Sequence, residues 1–324
     1  MNATLETGGE RLQINCAIPW VGELIQEATA GELLNGTNEP ASVAVNIESS
    51  TRPYATASWE PLTRGAWKRQ NEVVMENVCS SGFDLHLFGT RETTEFSFRW
   101  RPRPAGRAAA MLLRTRFILL ARAVLLQYPA LWRASLRGRA PLHASVCAIG
   151  DQRPLLAGPG GVGKSTLMAQ ELAAGGLAIS DNLCVSDGTT AWGLVEPMRI
   201  EGGAGRSTTF GRTEAPMPGR LSSLAPNVVV LIRRGHDEVA HLYSCGTDSA
   251  ARSLVGGTYM AGELRRYWAF AATLSAGTEL GPLHPPVEAI ALQLAARLPA
   301  VEIMLPRRPG VRLAELLSRA EAIA

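Results

Sequence analysis

Lysine is nearly absent from this 324-residue chain: of its 32 lysines and arginines, only Lys68 and Lys164 are lysines. The net charge of +3 is too small to argue for a nucleic-acid partner. Cysteine is also sparse. Cys16, Cys79, Cys147, Cys184 and Cys245 are scattered, with no Cys-x-x-Cys and no histidine at ligand spacing. That excludes a disulfide framework and a structural metal site, and it reads as reduced, mostly buried thiols in a cytoplasmic protein. No long apolar run is free of charge. The most membrane-like stretch, 108–126, carries Arg114, Arg116 and Arg122, which makes a span costly and an amphipathic helix packed on the fold the better reading. Glu6, Glu10 and Arg11 stand where an export signal would have its apolar core, so neither export nor a membrane is expected. Acids are missing between residues 101 and 150, where nine arginines fall. Such a run suits a solvated face, pairing with acids of a neighbouring domain, or an acidic partner or phosphate.

What is present is a folded globular composition, 46% hydrophobic and 19% charged, long enough for one large domain or two ordinary ones. The chain is organised around residues 155–172. There, G-x-x-x-x-G-K-[ST] is matched from Gly158 through Gly163, Lys164 and Ser165. Gly158, Gly160, Gly161 and Gly163 let the backbone turn and aim its N–H groups at an oligophosphate, with the following helix adding its positive end. Lys164 is placed to reach β- and γ-phosphates, and Ser165 to put its hydroxyl on Mg²⁺. Val162 and Thr166 complete the set of loop residues expected to bind a nucleoside triphosphate. The apolar stretch 154–157 leads in as a strand, and the residues after Lys164 continue as a helix.

Residues 1–105 read as a smaller β-rich domain, with strand-like runs at 42–47, 71–78, 84–88 and 95–100. His86 sits in one of these and reads as structural. A helical connector follows over 106–139, with helix expected at roughly 107–136 and split by Pro129. A core built on the phosphate loop is expected over 140–324. Its first strand, 141–149, pairs antiparallel with the strand entering the loop. A second strand, 177–180, closes on Asp181 and Asn182, where a Mg²⁺-linked or catalytic carboxylate belongs beside such a loop. Short strands follow over 183–200, with a turn at Asp187 and Gly188. The polar stretch 202–218, with Arg206 and Arg212, is a candidate lid or substrate loop. A strand at 227–233, helices at 264–274 and 286–298, a strand at 301–305 and a helix at 311–323 complete the reading. The expected class is α/β with a mixed sheet. The motifs L-S-G-G-Q and N-K-x-D are absent, which removes a transporter ATPase and weighs against a GTPase.

His143 lies 15 residues before Gly158, and Asp181 lies 17 after Lys164. A strand carrying histidine, a glycine-rich loop ending in Lys-Ser, and a strand ending in an acid make 140–200 resemble the HPr kinase/phosphorylase group. That group includes kinases of lasso-peptide precursors and is related in fold to ATP-dependent phosphoenolpyruvate carboxykinase. The resemblance implies a P-loop kinase core of that type. It implies transfer of the ATP γ-phosphoryl group to a Ser or Thr hydroxyl of a peptide or protein, such as a natural-product precursor peptide. Asp181 then serves as general base, Lys164 as the charge on the transferring group, and His143 as a group orienting Asp181 or the phosphate. Ser165, Asp181 and Glu196 hold Mg²⁺, with Glu201 the rival of Glu196. One of Arg206, Arg212, Arg233 or Arg234 completes the clamp. The resembled family assembles into hexamers, which leaves a homo-oligomer open. The chain departs from the pattern at Asn182, the second member of the family's Asp pair, at Gly160, where the family often has Ser, and over 205–212. HPr itself is therefore not the expected acceptor. A small-molecule alcohol kinase and a nucleotide-binding regulatory module with little turnover are the alternatives.

Overall fold

The structure, a computed structural model, describes residues 1–34, 40–201, 206–207, 211–306 and 310–321. Its contacts divide the chain into two compact units, Met1–Gly138 with Arg266–Pro285, and Arg139–Arg265 with Pro286–Ala324.

The first unit is built on an eight-stranded sheet. Its spatial order is Asn2–Thr7, Glu10–Cys16, Val43–Glu48, Thr94–Trp100, Phe83–Gly89, Glu72–Met75, Ala66–Arg69, Glu60–Thr63. Val43–Glu48 runs parallel to both of its neighbours, and the remaining pairs are antiparallel. Strict alternation of buried and half-buried residues along Val43–Glu48 follows from one face meeting the core. The four expected strands appear as Val43–Glu48, Glu72–Met75, Phe83–Gly89 and Thr94–Trp100.

The expected boundaries differ from the observed units at two places. The helices Pro104–Leu112, Arg114–Arg122 and Tyr128–Ser135 belong to the first unit and are no separate connector. The helix expected at 264–274 forms as Tyr267–Thr278 and also belongs there. Aromatic packing is the reason: Phe96 meets Trp132 edge-on at 5.9 Å and Phe270 stacked at 6.5 Å. Trp132 also donates its indole N–H to Ser275 across 3.1 Å. Pro129 does not break the helix. A five-residue π-turn, Ala123–Gln127, precedes it, with the Tyr128 N–H reaching back to the carbonyl of Ala123. Widening the turn accommodates a ring that would collide with the carbonyl four residues back. Among the described residues no helix is long and apolar enough to cross a membrane.

The second unit is mixed α/β around a six-stranded sheet ordered Leu177–Ser180, Ala144–Ala148, Pro154–Ala157, Val228–Arg234, Ala300–Leu305, His241–Ser244. Val228–Arg234 is central and parallel to both neighbours. Its first five residues are buried, the continuous apolar run expected of a strand covered on both faces. The stretch 141–149 is not one strand. Ala140–Leu142 joins a four-stranded sheet with Cys184–Ser186, Ala191–Gly193 and Ser223–Leu224, while Ala144–Ala148 joins the central sheet. His143 is the switch point, and its N–H leaves both ladders to meet the Thr258 hydroxyl at 3.1 Å. Met198–Glu201, Arg206–Ser207 and Arg212–Ala215 form a third sheet. Helices Val287–Arg297 and Leu313–Glu321 occupy their expected places.

Candidate functional site

The loop is shaped by glycines at two points where other residues would not fit. Gly158 has φ +151, and a Cβ there would lie 2.5 Å from the carbonyl oxygen of Ile232 on the neighbouring strand. Gly163, at φ +113, turns the chain into the helix Lys164–Ala173. The strand Pro154–Ala157, the loop and this helix make the sequence of elements that presents backbone N–H groups and a helix N-terminus to one point.

Lys164 lies buried at that point. Its ammonium donates to the carbonyls of Gly158 at 2.7 Å and Pro159 at 3.1 Å. Burial lowers its pKa to about 8, with Asp181 and Glu263 opposing and Arg212 adding to the fall. Asp181 is 3% exposed at the end of Leu177–Ser180. Burial pushes its carboxyl up to about 6; the Glu196 charge adds to the rise, while a hydrogen bond from Ser165 and the backbone and charge of Arg199 oppose it. Among the described residues its Oδ1 is buried without a hydrogen-bond partner, and its Oδ2 lies 3.5 Å from the Arg199 N–H.

His143 is half the expected arrangement. It reaches the same place, but its Nε2 donates to Asn182 Oδ1 at 3.2 Å, not to Asp181. Burial and the Lys164 charge hold it down at about 4, against Glu263, so it is neutral at physiological pH. A neutral imidazole and a neutral amide pair without a charge cost, which an aspartate at 182 would introduce.

Two connected lobes open at these residues, of about 680 Å³ and 710 Å³. Both are lined by His143, Ser165, Asp181, Asn182, Arg199 and Arg212, and both by Gly160 and Arg234. The first lobe runs along one face of the loop helix, through Thr166, Ala169, Gln170 and Ala173, to Leu305, Pro306 and Val311. The second runs beside the helix Thr247–Met260 through Ser253, Gly257 and Met260 to Glu263.

Glu196 is buried but does not line either lobe. Its Oε2 lies 3.5 Å from Arg199 Nη2, and its carbonyl accepts from Arg220 at 2.6 Å. Arg212 and Arg234 line both lobes, and Arg233 lines the second while pairing with Glu302 at 3.0 Å. The side chains of Arg206 and Glu201 lie outside the described residues, as do 202–205 and 208–210 of the expected lid, whereas Arg212–Ala215 within it is a strand.

Sequence reasoning missed Arg199 and Glu263. Arg199 donates to Glu263 at 2.6 Å and faces Glu196, making an acid–arginine–acid chain beside Asp181. It missed the helix Thr247–Met260 as well, because Gly256 and Gly257 weaken its helical pattern. Glu263 meets Arg199, and Thr258 meets His143, through tertiary packing, so no local motif announces them.

A Mg²⁺ ion fits this chemistry on one observation: a buried carboxylate oxygen of Asp181 without a partner, beside the Ser165 hydroxyl. Among the described residues no group of three or more His, Cys, Asp or Glu is placed to hold a metal. Mg²⁺ does not require one, since one or two carboxylates with substrate phosphates commonly serve.

No protein-family model matches the sequence, and no curated protein sequence matches it. Among solved structures, the Hpr(Ser) kinase/phosphatase from Coxiella burnetii is similar at 12% identity, covering 56% of this chain and 90% of that one, with a TM-score of 0.28.

Proposed function

We propose that this chain is an ATP-dependent phosphotransferase of HPr-kinase-like type, passing the γ-phosphoryl group to a Ser or Thr hydroxyl of a peptide or protein. The observation that carries the reading is the meeting of Ser165 and Asp181 where the two lobes join, with Lys164 beside them in the first lobe. One lobe is then for nucleotide and the other for acceptor. The loop amides and Lys164 hold the phosphates; Thr166, Ala169, Gln170 and Ala173 support the nucleoside end. Lys164 leaves the carbonyls of Gly158 and Pro159 to do so. In the transfer, the bond from the γ-phosphorus to the bridging oxygen breaks and a bond to the acceptor oxygen forms. Asp181 accepts the acceptor's proton, for which a pKa near 6 is suited at neutral pH. Ser165 and Asp181 would hold Mg²⁺, which neutralises phosphate charge when bound. Glu196 acts on Asp181 through its charge and through Arg199. His143 and Asn182 fix the floor between the lobes, and Arg212 or Arg234 faces the transferring group.

The test uses γ-labelled ATP, Mg²⁺ and size-fractionated extract of the source cell, with Asp181→Ala in parallel. Label in a peptide or protein fraction with the native chain alone supports the reading. Label in a small alcohol replaces the acceptor class. Release as free phosphate only, or no turnover, favours the second reading, a nucleotide-dependent regulatory module. That reading is supported by the Lys164 ammonium resting on its own loop's carbonyls and by Asn182 standing where a second acid is expected.

A further inference from the structure

The acid-free run between residues 101 and 150 separates into two sets of arginines once their partners are known. Arg101 pairs with Asp84 and Arg137 with Glu10. Arg133 donates to the carbonyls of Thr90 and Glu92, and Arg139 stacks 3.9 Å over the Trp192 ring. Arg103, Arg107, Arg114 and Arg116 do none of this. All four are exposed, and among the described residues their guanidinium groups make no hydrogen bond, ion pair or ring contact. They flank three consecutive apolar residues that also face solvent: Met111 at 76%, Leu112 at 83% and Leu113 at 51% exposure. Single exposed apolar residues need no explanation, but a run of three set among unpaired cations does.

The same helices wall a groove of about 480 Å³ within the first unit. Its floor is a rigid aromatic cluster. Trp20 meets Trp100 at 5.2 Å and Phe117 at 5.9 Å, and Trp100 meets Phe117 at 5.4 Å. Arg107 and Arg114 line it from the helices Pro104–Leu112 and Arg114–Arg122, and Glu23 and Glu27 from the helix Pro19–Thr29. A concave aromatic floor admits side chains, whereas a bilayer lies against a convex apolar face. Arg107 and Arg114 on the groove's wall complement carboxylates.

We propose that this groove docks an acidic polypeptide segment, whose leucine or aromatic side chains rest on Trp20, Trp100 and Phe117 while its carboxylates meet Arg107 and Arg114. Glu23 and Glu27 exclude acids from the far wall and so orient the segment. The inference is independent of the phosphate site.

The test pans a random peptide library on the full chain, with counter-selection on Arg107→Glu/Arg114→Glu. Enriched peptides are then titrated by fluorescence anisotropy, alongside sedimentation with phosphatidylserine vesicles. Among the described residues the two arginines hold no partner, so the double variant should fold with an unchanged melting temperature. If it does not, Arg107→Gln/Arg114→Gln carries the same comparison. The expected result is enrichment of peptides with Asp or Glu flanking Leu, Phe or Trp, bound about tenfold or more weakly by the variant. Enrichment without acids, equal binding by the variant, or no enrichment over the variant overturns the proposal. Vesicle binding without peptide binding assigns the surface to lipid and overturns it equally.

Discussion

Arg199 donates to Glu263 across 2.6 Å while its other terminal nitrogen lies 3.5 Å from Glu196, so one guanidinium joins two acids beside Asp181. Glu196 is almost fully buried beside this arginine. Arg199→Ala should therefore cost several degrees of melting temperature, in line with about 3–5 kcal/mol for breaking a buried pair. Arg199 also lowers the Asp181 pKa, so the variant's rate–pH profile should shift to higher pH. Loss of stability with an unmoved profile would reduce Arg199 to a structural role.

Asp181 sets the acid limb of that profile. Its carboxyl is raised from 3.8 to about 6, and as a base it must be ionised. Phosphoryl transfer should fall in acid as Asp181 is protonated, and raising Mg²⁺, which favours the ionised carboxylate, should move that limb to lower pH. The same shift has a stability consequence. A raised folded pKa gives stability that is present below the unfolded value of 3.8 and lost as pH rises through about 6. Asp181→Asn should thus abolish transfer yet keep or raise the melting temperature of the nucleotide-free protein at pH 7–8. A clear drop in melting temperature there would contradict the sign.

Lys164 titrates near 8 in the nucleotide-free chain because it is buried. Phosphates favour its charged form, so ATP binding at pH 8 should take up a fraction of a proton. Calorimetry in buffers of different ionisation enthalpy measures this directly. Zero uptake would mean that Lys164 does not reach the phosphates.

Two glycines of the loop should respond differently to alanine. At Gly158 a Cβ would overlap the Ile232 carbonyl at 2.5 Å on a positive-φ backbone, whereas at Gly160 nothing lies within 4 Å. Gly158→Ala should lose both stability and nucleotide binding; Gly160→Ala should melt like the native chain. Thermal denaturation and ATP titration of the pair decide the matter, and equal behaviour would refute the packing argument.

The residues themselves determined those features that depend on local pattern. Period-two alternation set out Phe83–Gly89 and Thr94–Trp100, a strand-like apolar run marked Val43–Glu48, and the glycine spacing around Lys164 announced the strand, loop and helix. These rest on interactions within a few residues, so a linear reading reaches them. Tertiary structure decided what depends on distant partners. Phe96 and Trp132 drew the helix Tyr267–Thr278 into the first unit, against a reading in sequence order. Thr258 turned the strand at His143 from one sheet to another, and Asn182 took the histidine's ring from Asp181. Glu263 reached Arg199 from 64 residues away, and Glu196 was placed behind that arginine, away from the cleft. Burial then decided the chemistry, because the desolvation that moves Asp181 and Lys164 toward neutral pH belongs to the packed environment and to no residue type.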